Sequence, residues 1–330
     1  MTDAASRLGR LRGLADRLPE SRRDAEAALD DLVRDNRFTI AVVFPLVGAA
    51  MLLASATVPA VPDWLAFNGW LVLFGTAVMR LPLVAGVAPL TDRRAAAGVA
   101  LLSLYAYGIE YVGVHTGWPY GEFVYGVALG PTVAGVPLGL PVFFVPLVVN
   151  AYLLCLLLLG GRAAHGPTRL AAVVGLVVLL DVVLDPAAVA LEFWTYPGVG
   201  ADAAVTEAAA GAGAAGAAGL VDRVFGGALG AFSGGGFYGV PASNFAGWVL
   251  SATVSVGILD RSFDRAALTA RLADCEFMLD DMVSFVLLWG AVNAVFANWV
   301  AVAVAAGIGA GLVAADRFDA ALFTQPFRRG

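Results

Sequence analysis

Along the chain, long runs of Ala, Val, Leu, Ile and Phe alternate with short polar stretches. A membrane-spanning helix needs about 20 mostly apolar residues. Runs of that length cover 38–57, 64–87, 95–114, 136–159, 170–191 and 241–259. The last run, 282–315, is too long for one perpendicular helix, so it is one long tilted helix or two short ones broken near Asn298. The pattern predicts an all-α fold, a polytopic membrane bundle of seven or eight transmembrane helices. No internal repeat is found.

The arginines give the orientation. Eight of them lie in residues 1–37, and Arg93, Arg94, Arg162, Arg169, Arg261, Arg265 and Arg271 form the later clusters. With six spans counted, all of these fall on one side, and basic residues flank spans on the cytoplasmic side. The opposite side receives only Arg223. The protein is therefore expected in the cell membrane as a multi-pass protein with a cytoplasmic N-terminus. An eighth span would put Arg317, Arg328 and Arg329 on that side too.

Three regions complete the expected organisation: an Arg-rich tail (1–37), a transmembrane domain (38–315) carrying an Ala/Gly outer-loop linker (199–220), and a C-terminal tail (316–330). The first region carries too much charge ahead of its apolar run for a cleavable signal peptide. Its Leu8, Leu11, Leu14 and Leu18 recur at helical spacing, which suits either an inner-leaflet helix or a solvated tail.

Composition sharpens the class. The 330 residues are 60% hydrophobic and 14% charged, against about 25% charged in soluble domains. All 20 basic residues are Arg, which excludes Schiff-base, P-loop and catalytic-lysine chemistry. Two Cys and two His are too few for a structural zinc site or a disulfide framework. Cys155 and Cys275 read as small buried hydrophobes.

The unusual residues gather toward the outer half, in 105–126, 180–194 and 234–248. From the inner boundary of its span, Asp181 should lie roughly 16 Å deep and Asp185 roughly 22 Å, and Glu110 on the third span reaches about the same 22 Å. Glu110 and Asp185 could thus face one cavity. Asp181, Asp185, Ala188 and Glu192 follow a single helical stripe, and Pro186 should kink the helix. Tyr107, Glu110 and Tyr111 form a second patch, with His115 above it. Asn150 and Asn293 come out near mid-membrane. Arg80 lies nearer the inner surface, where its side chain can snorkel or reach Asp181.

Acids in hydrocarbon are functional candidates. With no cation at their depth they are cheapest as neutral carboxylic acids, and a neutral carboxylic acid in a dry pocket is a proton donor. Gluing helices together through Tyr or Asn is the alternative role.

The runs GWPYGEFVYG, LDPAAVALEFW and GGFYGVPASNFAGW, in this order and each at an end of a span, resemble the CruF-like membrane carotenoid hydratases, a family with members in halophilic archaea. The resemblance covers about 105–260. It implies hydration of the terminal tertiary double bonds of a C50 carotenoid, bisanhydrobacterioruberin to bacterioruberin, with no cofactor and no metal. The expected partners are the lipid-soluble carotenoid, water, membrane lipid and other carotenoid-pathway enzymes, with no nucleic acid.

Such a reaction protonates the alkene, passes through a tertiary carbocation and adds water. Asp185 is the first candidate for the acid, Asp181 the second and Glu110 the third. The cation needs aromatic faces, for which Tyr107, Tyr111, Trp194, Phe237, Tyr238 and Trp248 are candidates. Water needs an orienting group, for which Glu110, His115, Glu122 and Asn244 are candidates. Tyr238 and Trp248 also suit ordinary interfacial anchoring.

Three rivals remain. A UbiA-type prenyltransferase would use an aspartate-rich motif with Mg²⁺, but no second cluster lies at a matching outer position. A lycopene-cyclase-like enzyme starts with the same protonation. A proton-coupled transporter also uses intramembrane acids, but the polar residues here gather near one surface rather than along a path.

Overall fold

The computed structural model describes residues 19–62, 64–197, 199 and 236–318. Residues Leu8, Leu11, Leu14, Leu18, Arg223, Arg328 and Arg329 and the 201–219 linker lie outside the described residues.

Helix α1 (Arg22–Asp35) is capped by Ser21, whose hydroxyl accepts from the Asp24 N–H at 3.2 Å. A π-helical turn (Thr39–Val43) leads into α2 (Phe44–Thr57). Asn68 caps α3 (Gly69–Met79), and a 44° bend separates it from α4 (Leu81–Val87). The bend falls at Arg80, just before Pro82, which has no N–H to continue the helical ladder. The span expected over 64–87 is therefore broken in its middle.

Asp92 caps α5 (Arg93–Thr116), which stops at Gly117 with φ of 72°. Short antiparallel ladders follow: β1 (Val124–Tyr125), then β2 (Thr132–Val133) against β3 (Val136–Pro137). They shift the start of α6 (Leu140–Leu159) four residues past the expected boundary. Helix α7 (Gly166–Ala190) runs through Pro186.

Beyond α7 come β4 (Trp194–Thr195), paired with β1, and the β5 (Gly236–Phe237) to β6 (Val240–Pro241) hairpin. Helices α8 (Ala242–Ser262), α9 (Arg265–Asp274), α10 (Asp280–Val295) and α11 (Trp299–Ala314) complete the chain.

Among the described residues, five helices are long and apolar enough to cross a membrane, and the bent α3–α4 pair makes a sixth. Helices α10 and α11 have 16 residues each and lie side by side. The turn between them closes with the Asn298 N–H on the Asn293 carbonyl at 2.9 Å and the Asn298 amide on Asn293 Oδ1 at 3.0 Å. The run 282–315 is thus two helices broken at Asn298. Trp70, Phe74 and Leu104 are exposed on the flanks of their helices, as lipid-facing residues of a membrane protein are.

Helix α7 is central, packed by α6, α8, α10 and α11. Ion pairs fasten the end of the bundle nearest α9. Arg37 is buried and donates to Asp280 at 2.6 Å, Arg169 pairs with Asp260, and Arg317 donates to the carbonyls of Leu272 and Cys275. Arg80, its side chain 13% exposed, does not pair with Asp181. It pairs with Asp281, which also accepts from Asn150 at 2.6 Å. The end of α11 therefore lies beside α9 and Arg37.

Candidate functional site

Two aspartates on α7 and one asparagine on α8 form the centre. Asp181 and Asp185 are one helical turn apart on the same face of α7, 0% and 3% exposed. Asn244, 3% exposed, donates from Nδ2 to Asp181 Oδ2 at 2.9 Å and to Asp185 Oδ2 at 2.5 Å. One amide thus spends both hydrogens on the acid pair, which fixes its orientation. Asp181 Oδ1 has no hydrogen-bond partner.

The chain following α7 supplies a third donor. Helix α7 ends in a left-handed cap, with Glu192 at φ of 58° and the Phe193 N–H returning to the Ala188 carbonyl at 2.8 Å. This takes Glu192 off the expected stripe and leaves it exposed. It also swings Tyr196 back over the helix, where its hydroxyl donates to Asp185 Oδ2 at 3.2 Å. Burial, reinforced by the neighbouring acids, pushes the Tyr196 phenol well above its usual value, so it keeps the proton it donates.

The β1–β4 ladder joins this wall to the next one. Tyr125 pairs with Trp194 across the ladder, and its hydroxyl donates to Glu110 Oε1 on α5. Burial and the adjacent Glu110 push the Tyr125 phenol up. Gly126 permits the close approach: a Cβ there would run into the Glu192 carbonyl oxygen.

Between these walls lies a cavity of about 140 Å³ whose lining includes Glu110, Asp185 and Asn244. Its other walls are aromatic, with Tyr120, Trp194, Trp248 and Trp289 among them. Phe144 and Trp248 stack at 5.5 Å with 20° between ring planes. Glu110 and Asp185, on different helices, thus border the same space. Asp181 sits behind Asp185, outside the lining.

The other candidates stand apart from the cavity lining. Tyr107 donates to the Leu138 carbonyl. Tyr111 and His115 pack together at 4.2 Å between ring centroids, both exposed, and Glu122 is exposed. Phe237 packs on Tyr238 and Phe245, and the Tyr238 hydroxyl accepts from the Val300 N–H at 3.3 Å.

Tyr120, Tyr125, Tyr196 and Trp289 line the cavity without having been singled out by sequence. The first three sit in loops and ladders where no periodicity points to them. Tyr120 and Tyr125 fall within the motif 117–126, whereas Tyr196 lies two residues past the motif 184–194. Asn244, Gly247, Ser251 and Ser255 form the buried face of α8. Gly247 is where the Tyr120 ring crosses, and the Tyr120 hydroxyl meets Ser251 Oγ at 2.7 Å. The small residues in 234–248 that fall on α8 thus let an aromatic loop seat against that helix. Among the described residues, no group of three or more His, Cys, Asp or Glu could hold a metal ion.

Comparison with known proteins extends beyond the motifs. The family model described as carotenoid biosynthesis protein matches residues 67–206 and 231–312. A curated relative named bisanhydrobacterioruberin hydratase, from Haloarcula japonica, is 55% identical over 303 residues, covering 92% of this chain and 91% of that protein. No solved structure matches the chain. With its cavity of acids and aromatic walls, this chain belongs to the carotenoid biosynthesis protein family.

Proposed function

We propose that this chain is a carotenoid hydratase, a hydro-lyase that adds water to the terminal tertiary double bonds of bisanhydrobacterioruberin to give bacterioruberin. The observation that carries the reading is an acid pair opening, through Asp185, onto an aromatic cavity. The 55% identical relative bears the name of this activity.

The chemistry runs as a Markovnikov addition. Asp185 gives its proton to the less substituted alkene carbon, and the positive charge is left on the tertiary carbon. Trp194, Trp248 and Trp289 line the cavity, and aromatic rings there stabilise that charge. Water adds to the cation and then sheds a proton. Glu110 and the carboxylate left at Asp185 are the two acceptors that face the cavity. Asp181 shares a proton with Asp185, and Asn244 holds the pair at a fixed separation. Proton transfer by a positioned acid contributes about 10²–10⁴-fold.

The N-terminus faces the cytoplasm and the bundle crosses eight times, α10 and α11 being the last two passes. Arg317 beside α9 and Arg37 supports this count, because it returns the end of α11 to the arginine-rich side. The cavity then opens in the outer half, between surface water and bilayer polyene.

The test is to express the full chain in membranes, supply bisanhydrobacterioruberin, and follow products by chromatography and mass, with and without a chelator. Gain of one and then two waters, unaffected by the chelator, is expected. A product of unchanged mass would point to ring closure instead. Activity that requires Mg²⁺ and a prenyl diphosphate would overturn the reading in favour of prenyl transfer.

A further inference from the structure

The Asp185 carboxyl is bonded on one side only. Its Oδ2 meets two donors, Asn244 Nδ2 at 2.5 Å and the Tyr196 hydroxyl at 3.2 Å. Its Oδ1 meets none. Among the described residues, the fully enclosed side-chain oxygens without a hydrogen-bond partner are Asn150 Oδ1 and Asp181 Oδ1. Asp185 Oδ1 is not one of them, so it keeps open surface, and the space that Asp185 lines is the reaction cavity.

Lone pairs turn this one-sided bonding into a direction for the proton. A carboxyl oxygen offers two lone pairs. On Oδ2 both are engaged, one by the amide and one by the phenol. A proton on Oδ2 would have to displace a donor, whereas Oδ1 takes one without loss. Neither donor can reverse its role in place. The Asn244 nitrogen has only hydrogens to offer. The Tyr196 phenol keeps its proton, because burial and the neighbouring acids push it well above its usual value. Phe123 packs against the Tyr196 ring at 6.3 Å between centroids and braces it over α7.

We propose that Tyr196 is a positioning residue: with Asn244 it fills Oδ2 and so places the acidic proton of Asp185 on Oδ1, facing the cavity. The inference rests on the hydratase reading and adds the atom from which the substrate takes its proton. The step balances. The alkene π pair forms a C–H bond with the Oδ1 proton, and the O–H electron pair stays on Asp185. The tertiary carbon holds the positive charge until a water lone pair forms the C–O bond and that water releases a proton to a carboxylate. The new charge on Asp185 is met by two donors already aimed at Oδ2, so no group has to turn as it develops.

The test reads the carboxyl itself. Wild type, Tyr196→Phe and Asp185→Asn, each as full chain in membranes, would be recorded by infrared spectroscopy and assayed on bisanhydrobacterioruberin. The carboxylic C=O band that disappears in Asp185→Asn belongs to Asp185. With the proton on Oδ1, the C=O oxygen is Oδ2, so loss of the Tyr196 donor should move that band to higher frequency. In the same variant kcat should fall several-fold with KM unchanged. If Tyr196→Phe fails to accumulate, fluorotyrosine at position 196 decides, since a stronger donor should move the band down. A band that stays in place while the wild type hydrates its substrate would put the proton on Oδ2 and overturn the proposal. So would the absence of any Asp185 band in an active wild type, or an unchanged kcat in Tyr196→Phe. Folded wild-type protein that hydrates nothing would defeat the hydratase reading itself.

Discussion

Asn244 concentrates the argument at the scale of single residues. Its amide is the donor common to both aspartates, so its loss leaves two buried carboxyls facing each other without it. A hydrogen bond to a charged group contributes about 1.5–3 kcal/mol. Asn244→Leu should therefore lower the hydration rate by about 10- to 100-fold, read as product formed per unit of folded protein. Tyr196→Phe removes one donor to Asp185 and should cost less, with substrate affinity unchanged. The aspartates were legible because charge inside an apolar run at helical spacing is a rare and costly pattern. Asn244 was legible as a polar residue just inside a span, although its partner was not. Tyr125 and Tyr196 act through a tight helix cap and a two-residue ladder, and neither leaves a periodic trace.

Among the elements, the six long runs were legible to within a few residues because bilayer thickness dictates their length. Two departures have local causes. Pro82 breaks the second span at Arg80, and that break turns Arg80 toward Asp281. The left-handed cap at Glu192 ends α7 and turns the expected fourth member of the acid stripe outward. The close contact between α8 and the loop carrying Tyr120 depends on Gly247, where added carbon meets the ring. Gly247→Val should destabilise the protein by about 1–3 kcal/mol through overpacking, seen as a lower melting temperature in detergent. Activity should fall with it, since Tyr120 and Trp248 would shift together.

At the scale of the whole molecule, the ionic end and the acidic cavity divide the work. Arg37 and Asp280 tie the start of the first span to the start of α10, both fully buried. Removing one partner leaves an uncompensated buried charge, so Arg37→Met should cost about 3–5 kcal/mol and show as loss of folded protein rather than altered product. The cavity described here handles one end of a long polyene at a time. A singly hydrated carotenoid should therefore appear before the doubly hydrated one and be released between steps, and a time course by mass would show it. The arginine distribution made the overall arrangement readable. It could not reveal which buried acids pair with arginine and which stay free of cations, because that depends on packing across helices.

The most direct test of the central claim compares wild-type chain with Asp185→Asn in membranes supplied with bisanhydrobacterioruberin. The account predicts sequential addition of two waters by the wild type. It predicts loss of hydration by about 10²-fold or more in the variant, with folded protein still present. Full hydration by Asp185→Asn would contradict it and move the proton donor to Asp181 or Glu110.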